Sequence, residues 1–267
     1  MRIIHWNISY NCKKEKVAAF ISEQIADGRT VICLQEVTES SYDCIREYLP
    51  EGCNFVYSLD YRKPGKYDGK NRHLGVMIII PRSMAIVESG VIERTVFPDR
   101  TAFAKIAYNG AEYIILSLHS ITGCAYGKSK PTQFYAFAEA IEALRPDIVT
   151  FDANEPAKDH YDIFQMDFFD NGDKGEGART FFGSLSSSGL SDAFAINYDK
   201  NQYVDGQPLA TSHILHGRIK RRYDFIFVNE SHIVVRNCRY RYDKGCELSS
   251  DHAIIVTETI EKKCLEQ

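Results

Sequence analysis

The sequence turns on the stretch Pro146-Asp147-Ile148-Val149-Thr150-Phe151-Asp152-Ala153-Asn154-Glu155-Pro156. The apolar run Ile148 to Phe151 lies between a helix-like segment and a proline-bounded loop, which is how a buried strand reads after the helix of an α/β unit. Asp152 and Asn154, two residues apart, leave the same face of an extended backbone. In open α/β sheets ligands collect at the carboxyl ends of strands, where a carboxylate beside an amide is equipped to position a water and hold a phosphate oxygen. The same pair also suits an Asx turn that simply closes the strand. This motif by itself does not separate the two readings.

Working outward, further strand-like segments carry polar groups of the same kind at their ends. Ile3 to Ile8 presents Asn7, Val31 to Glu36 ends in the acid Glu36, and Tyr113 to Ser120 carries His119. Arg222 to Val228 and Ser250 to Val256 place Asp224, Asp251 and His252 at strand beginnings. Lys13 to Asp27 has Val17, Phe20, Ile21 and Ile25 at helical spacing with Gly28 as a stop, so the chain opens as β-α-β. A right-handed crossover then sets Asn7 and Glu36 at one sheet end if the two strands run parallel.

The ordered set Trp6-Asn7-Ile8, Leu34-Gln35-Glu36, Ser117 to Ser120, Asp152-Ala153-Asn154, Tyr223 to Val228 and Ser250 to Ile255 resembles the endonuclease/exonuclease/phosphatase superfamily of metal-dependent phosphoesterases. The match runs from Trp6 to Val256. The resemblance implies an α/β four-layer sandwich, two mixed β-sheets packed face to face with helices outside. It implies that Asp152 orients or deprotonates the water, that Asn154 binds a phosphate oxygen, and that His252, held by Asp224, stabilises the transition state. His119 looks like the histidine of the pancreatic nuclease, tyrosyl-DNA phosphodiesterase and sphingomyelinase branch, a general acid or phosphate ligand. Glu36 is the acid best placed for Mg²⁺, for which Mn²⁺ would substitute, with Asn7 and Asp251 beside it. Phe151 stands where the family carries glycine, and its side chain is expected to alternate away from Asp152.

The 267 residues, 44% of them hydrophobic, suffice for one large core, and no linker divides them, so 1–267 is read as a single domain. The net charge of −4 offers a polyanion no global attraction, so nucleic-acid contact has to be local. Two basic segments qualify: the loop Tyr61 to His73, and Arg218, Lys220, Arg221 and Arg222, which abut Asp224 and are the better phosphate contacts. Eight scattered cysteines without CxxC spacing read as reduced thiols, though Cys238 and Cys246 stand near enough in sequence to meet across a turn. No apolar run reaches a membrane span and no signal core opens the chain, so a cytoplasmic protein without membrane contact is expected.

Helices are further expected at Ser40 to Leu49, Lys130 to Leu144 and His160 to Phe169, with a mobile loop at Asp170 to Gly177. Asn54 to Leu59, Leu74 to Ile80, Met84 to Glu93 and Thr101 to Tyr108 read as strands, the last joined to the His119 strand by an Asn109-Gly110 hairpin. His5, His160, His213, His216 and His232 read as ordinary core or surface histidines, and Asp192 as structural. Three functions follow: a Mg²⁺-dependent nuclease or DNA-end phosphodiesterase, the same chemistry on a lipid or inositol phosphate headgroup, and a catalytically dead binding module. The first is favoured by the basic segments. The second lacks the Trp-Cys-Asp-Arg signature of inositol 5-phosphatases at Arg222 to Ile226, and the third would need a lost site residue.

Overall fold

Period-two alternation along the first strand explains most of the architecture. In β1 (Arg2–Asn7), Ile4 and Trp6 join the apolar layer beneath the helices Lys14–Ile25 and Glu39–Tyr48, while Ile3 enters the layer between two sheets. The computed structural model describes residues 1–63 and 73–262. The expected basic loop at Tyr61 to His73 therefore falls, apart from its ends, outside the described residues, as does Cys264.

The first sheet pairs β13 (Ile233–Arg241), β14 (Ile254–Glu261), β1, β2 (Thr30–Val37), β4 (Gly75–Ile80) and β3 (Asn54–Tyr57) in that order. The second runs β5 (Ala85–Gly90), β6 (Thr101–Tyr108), β7 (Ala111–His119), β8 (Ile148–Asp152), β12 (Asp224–Asn229) and β9 (Leu190–Asp192). Each is mixed: β1 lies parallel to β2 and β7 parallel to β8, and the remaining pairs are antiparallel. A two-stranded ribbon, β10 (His213–Leu215) with β11 (Ile219–Arg221), stands apart from both. Three apolar clusters fill the spaces between four layers. The expected sandwich is the observed fold, and Asn109-Gly110 closes the β6–β7 hairpin with both residues at positive φ.

The helix Ser129–Leu144 forms as expected. His160 to Phe169 does not become a helix. Only Ile163–Gln165 makes a turn, because the Asp162 carboxylate caps the Phe164 N–H and the chain doubles back to bridge Lys158 with Asp167. The stretch expected as a mobile loop is likewise structured: Asp170 accepts from the Gly172 and Lys174 N–H groups, and Asp173 from Gly175 and Gly177. An unexpected helix follows at Glu176–Ser187, burying Ala178, Phe181, Phe182 and Leu185.

Phe151 points away from Asp152, as alternation requires. It is fully buried, with ring centroids of Phe181, Phe225, Phe182 and Phe227 at 5.0, 5.2, 5.6 and 5.6 Å. The ring fills the layer directly behind the site strand. Phe151→Ala is expected to cost about 3–5 kcal/mol in a urea unfolding experiment, the usual range for a buried aromatic. A loss below about 1 kcal/mol would show that this layer collapses around the gap.

Candidate active site

Strand register assembles the site. His119 is the lateral partner of Asp152 across the parallel β7–β8 pair, and Asp224 is its partner across the antiparallel β8–β12 pair. One row of the second sheet thus carries His119, Asp152 and Asp224. From the facing sheet, the odd positions of β1 reach across: Asn7 Nδ2 donates to Asp152 Oδ2 at 2.9 Å, and His5 Nε2 donates to Asp224 Oδ1 at 3.0 Å. Just below, Gln35 donates to Ser117 and Thr150 donates to Ser117, each at 3.1 Å. Polar groups therefore replace the apolar filling as the inter-sheet space approaches this end.

Two buried carboxylates in one row repel, and their surroundings drive them to opposite protonation behaviour. Burial and the neighbouring Asp224 push Asp152 up to about 7, against the pull of His252, the Asn7 amide and the Asn154 N–H. Asp224 meets the same burial, but the hydrogen bond from His252 Nδ1 at 2.7 Å and the one from His5 carry it well below the usual carboxylate range. Burial works against a charged His252, yet Asp224 and Asp152 overcome it and raise the ring to about 10. His252 is thus an imidazolium at neutral pH, with Nδ1–H committed to Asp224 and Nε2–H free.

His119 is the opposite case. Burial and the Arg100 guanidinium hold it well below its ordinary value, so the ring is neutral. Arg100 Nη1 lies 2.6 Å from His119 Nδ1, and since a guanidinium only donates, Nδ1 must accept and Nε2 must carry the proton. That Nε2–H sits 3.7 Å from Asp152 Oδ2 and 3.9 Å from Glu36 Oε1. A neutral donor suits a phosphate contact better than a general acid.

Glu36 lies in the left-handed region at φ 57°, at an irregularity between β2 and β4, and its side chain is 21% exposed. One oxygen accepts from the Tyr10 N–H, and the other lies 3.9 Å from His119 Nε2. The Asn7 side-chain oxygen Oδ1 accepts from the Ser9 N–H and keeps a second lone pair. These hard oxygen donors around a single carboxylate fit Mg²⁺. The Asp251 side chain is 62% exposed and groups with His213 and His252.

Asn154 departs from the extended geometry read in the sequence. It adopts φ 50°, so its side chain does not simply parallel that of Asp152. Asp152 Oδ1 accepts the Asn154 N–H at 3.0 Å, which is the Asx turn, and Asn154 Nδ2 donates to the Ser120 carbonyl. The turn is locked from below by Lys130, whose ammonium donates to the Asn154 carbonyl and to Glu155, all at 2.9 Å. The Asx turn closes the strand and leaves Asp152 in the row with His119 and Asp224.

Arg222 is a correction. It is 1% exposed, donates to Asp192 at 2.6 Å and Asp159 at 2.8 Å, and lies over the Phe225 ring. A guanidinium so enclosed is structural and cannot reach a substrate. Arg221 is half engaged, donating to the Ala157 carbonyl above the Phe169 ring. Arg218 and Lys220 remain exposed on the β10–β11 ribbon, whose base borders the site through Ser212 Oγ, an acceptor for the Tyr223 and Asp224 N–H groups. His5, Arg100 and His213 were not singled out from the sequence, since an isolated His or Arg carries no signal until the fold supplies its partner. A close approach fixes His252 itself: a methyl on Gly245 would overlap the His252 carbonyl oxygen.

Arg222→Ala is expected to destabilise by about 3–5 kcal/mol in denaturant titration, leaving Asp159 and Asp192 buried without their cation. Arg218→Ala and Lys220→Ala should stay within about 0.5 kcal/mol of the parent. A fully stable Arg222→Ala protein with weakened nucleic-acid binding would restore Arg222 to the substrate surface.

No protein-family model and no curated protein sequence matches the chain. Solved structures do. The human Nocturnin catalytic domain with a bound sulfate anion superposes with TM-score 0.67 at 16% identity, covering 98% of this chain and 94% of that one. D. rerio TDP2 complexed with single-strand DNA product gives 0.63 at 14%, covering 97% and 98%. The mannosyl-6-phosphatase Bt3783 of Bacteroides thetaiotaomicron gives 0.61 at 16%, covering 97% and 99%. At these identities the likeness concerns the fold, and the chain has the fold of the endonuclease/exonuclease/phosphatase superfamily.

Proposed function

We propose that this chain is a divalent-metal-dependent phosphodiester hydrolase acting on nucleic acid, as a nuclease or a DNA-end-processing phosphodiesterase. The observation that carries the reading is the buried row in which Asp152, bonded by the Asn7 amide at 2.9 Å, stands beside Asp224, bonded by His252 Nδ1 at 2.7 Å, an arrangement that pushes Asp152 up and Asp224 down. An acid–base group near neutrality beside a fixed cation is what hydrolysis of a phosphodiester asks for. Asp152 takes the proton of the attacking water. His252 offers its Nε2–H to a phosphate oxygen as negative charge grows there, and neutral His119 offers a second N–H. The Asp224 carboxylate and His5 keep the imidazolium in place through the reaction.

Glu36, with the Asn7 side-chain oxygen, would hold Mg²⁺ or Mn²⁺, which would supply charge neutralisation to the reacting phosphate. Nucleic acid is favoured by exposed Arg218 and Lys220 at the rim and by the DNA product in one structural relative. The alternative is a phosphate ester on a lipid, inositol or sugar headgroup. It draws on the enclosure of Arg222, which leaves the rim less cationic than the sequence implied, and on the sugar phosphatase among the similar structures. All seven described cysteines are free thiols, which fits a reducing compartment such as the cytoplasm. No described helix is long and apolar enough to cross a membrane.

The test is a panel with Mg²⁺ and Mn²⁺ against plasmid, single-stranded DNA, RNA, abasic duplex, sphingomyelin, inositol phosphates and sugar phosphates. Turnover of a nucleic acid, lost in Glu36→Gln together with calorimetric Mg²⁺ binding, is the expected result. Activity confined to the small phosphate esters would give the alternative. Full Mg²⁺ affinity in Glu36→Gln would move the metal to another acid.

A further inference from the structure

A cavity of about 1100 Å³ lies along the free edge of the first sheet, where β13 is paired on one side only. Cys238 and Tyr240 pack against the apolar layer between the sheets, so alternation turns Arg239 and Arg241 to the other face, opposite Val256 and Ile254 of β14. Both arginines are exposed, and two residues of strand set their stems roughly 6.5 Å apart. The other cations of the lining are matched within the protein: Arg2 lies 3.4 Å from Glu258, and Lys244 lies 2.8 Å from Glu247. Among the described residues, Arg239 is bonded to the Asn237 amide oxygen at 3.3 Å, and Arg241 has no hydrogen-bond or ion-pair partner. Two guanidinium groups are thus left over, against the single acid Asp243.

The walls of this cavity also hold Asp224 and His252 in place. Tyr240, whose ring meets that of Phe194 edge-on at 5.1 Å, donates its hydroxyl to the Asp224 backbone carbonyl at 2.6 Å. Thr211 in the lining precedes Ser212, whose Oγ accepts from the Tyr223 and Asp224 N–H groups. The helix Tyr242–Glu247 carries Lys244 beside Gly245, the residue that closely approaches the His252 carbonyl oxygen. An occupant of the cavity therefore touches the elements that support the site without touching the reacting groups.

We propose that the cavity is an effector site for a small phosphorylated ligand with two linked phosphoryl groups and an aromatic base, in class a nucleoside diphosphate. Guanidinium forks match phosphate oxygens bidentately, and two of them on one strand face suit two neighbouring phosphoryl groups. Phe194, Tyr240 and Tyr242 supply ring surface for the base. Charges on an edge strand also discourage pairing with other chains, but that task needs neither a concave aromatic wall nor a hydroxyl tied to Asp224. A ligand that bridges β13, Thr211 and the helix Tyr242–Glu247 binds while these elements hold the positions that assemble Asp224 with His252. By linkage it favours the assembled pair and raises turnover. That consequence rests on the proposed reaction, although the binding itself does not.

The experiment is a calorimetric titration of the full chain with ADP in EDTA, which keeps divalent metal out of the active site, beside titrations with pyrophosphate and adenosine. ADP should bind one to one and more tightly than either fragment. Arg239→Gln and Arg241→Gln should each weaken it at least about tenfold, with circular dichroism confirming the fold, and Glu36→Gln should leave it unchanged. In turnover assays with Mg²⁺ in excess over nucleotide, ADP should raise the rate at saturating substrate. Tyr240→Phe, which keeps the ring, should still bind ADP and lose that increase. No ADP binding by the folded parent, undiminished binding in both arginine variants, or loss of binding in Glu36→Gln would overturn the proposal. Single-stranded DNA held by the same arginines in place of ADP would overturn it in favour of a polynucleotide track, and pyrophosphate bound as tightly as ADP would overturn the assignment of a base. ADP bound without effect on an active enzyme would overturn the effector role. ADP bound through Arg239 and Arg241 by a protein that hydrolyses no phosphodiester would keep this site and discard the reaction.

Discussion

Placing two carboxylates side by side where water cannot reach them is the constraint on which this structure depends. Asp152 and Asp224 are register partners on adjacent strands, both essentially unexposed, and ionising both would leave two like charges in a low-dielectric space. The surroundings answer with one imidazolium, a second histidine and one amide. His252 neutralises Asp224, His5 adds a second donor to it, and Asn7 bonds Asp152. Two of those three come from β1, in the opposite sheet. The site therefore exists only when the sheets are packed, and the packing at this end is itself shaped by the need to partner these acids.

That dependence explains the grading of the space between the sheets. Ile3, Ile148, Ile226 and Ile255 fill one part, the Gln35–Ser117–Thr150 hydrogen bonds follow, and ionisable groups occupy the end. The aromatic layer behind β8 holds the strand from the other side, so that Asp152 is supported where it must not move. Local devices then set the last ångström: the Lys130–Glu155 pair under the Asn154 turn, Ser212 capping two backbone N–H groups at the start of β12, and the close passage of Gly245 against His252.

How much of this was legible depended on how far apart the partners lie in sequence. The hairpin at Asn109-Gly110, the helix Ser129–Leu144 and the strand ending at Asp152 follow from local pattern, and the ordered motifs located Asn7, Glu36, His119, Asp152, Asp224 and His252. His5 looked ordinary because its partner Asp224 is 219 residues away. Arg222 looked like a surface cation because the two acids that enclose it, Asp159 and Asp192, are 63 and 30 residues distant. The helix Glu176–Ser187 had a readable apolar stripe, but Gly175, Gly177 and the charges before them signalled a loop. Asn154 was misjudged in geometry because a single left-handed residue breaks the alternation that the reading assumed.

The central claim is that Asp224 and His252 act as one unit, a fixed imidazolium that serves the transition state. A double-mutant cycle of His252→Ala and Asp224→Asn, read as the rate at saturating substrate, tests it most directly. His252→Ala should lower that rate by at least about two orders of magnitude with little change in substrate affinity, and Asp224→Asn should damage the same step. The double variant should then be scarcely slower than the worse single one. A full-speed His252→Ala enzyme, or losses that simply multiply in the double variant, would contradict the account.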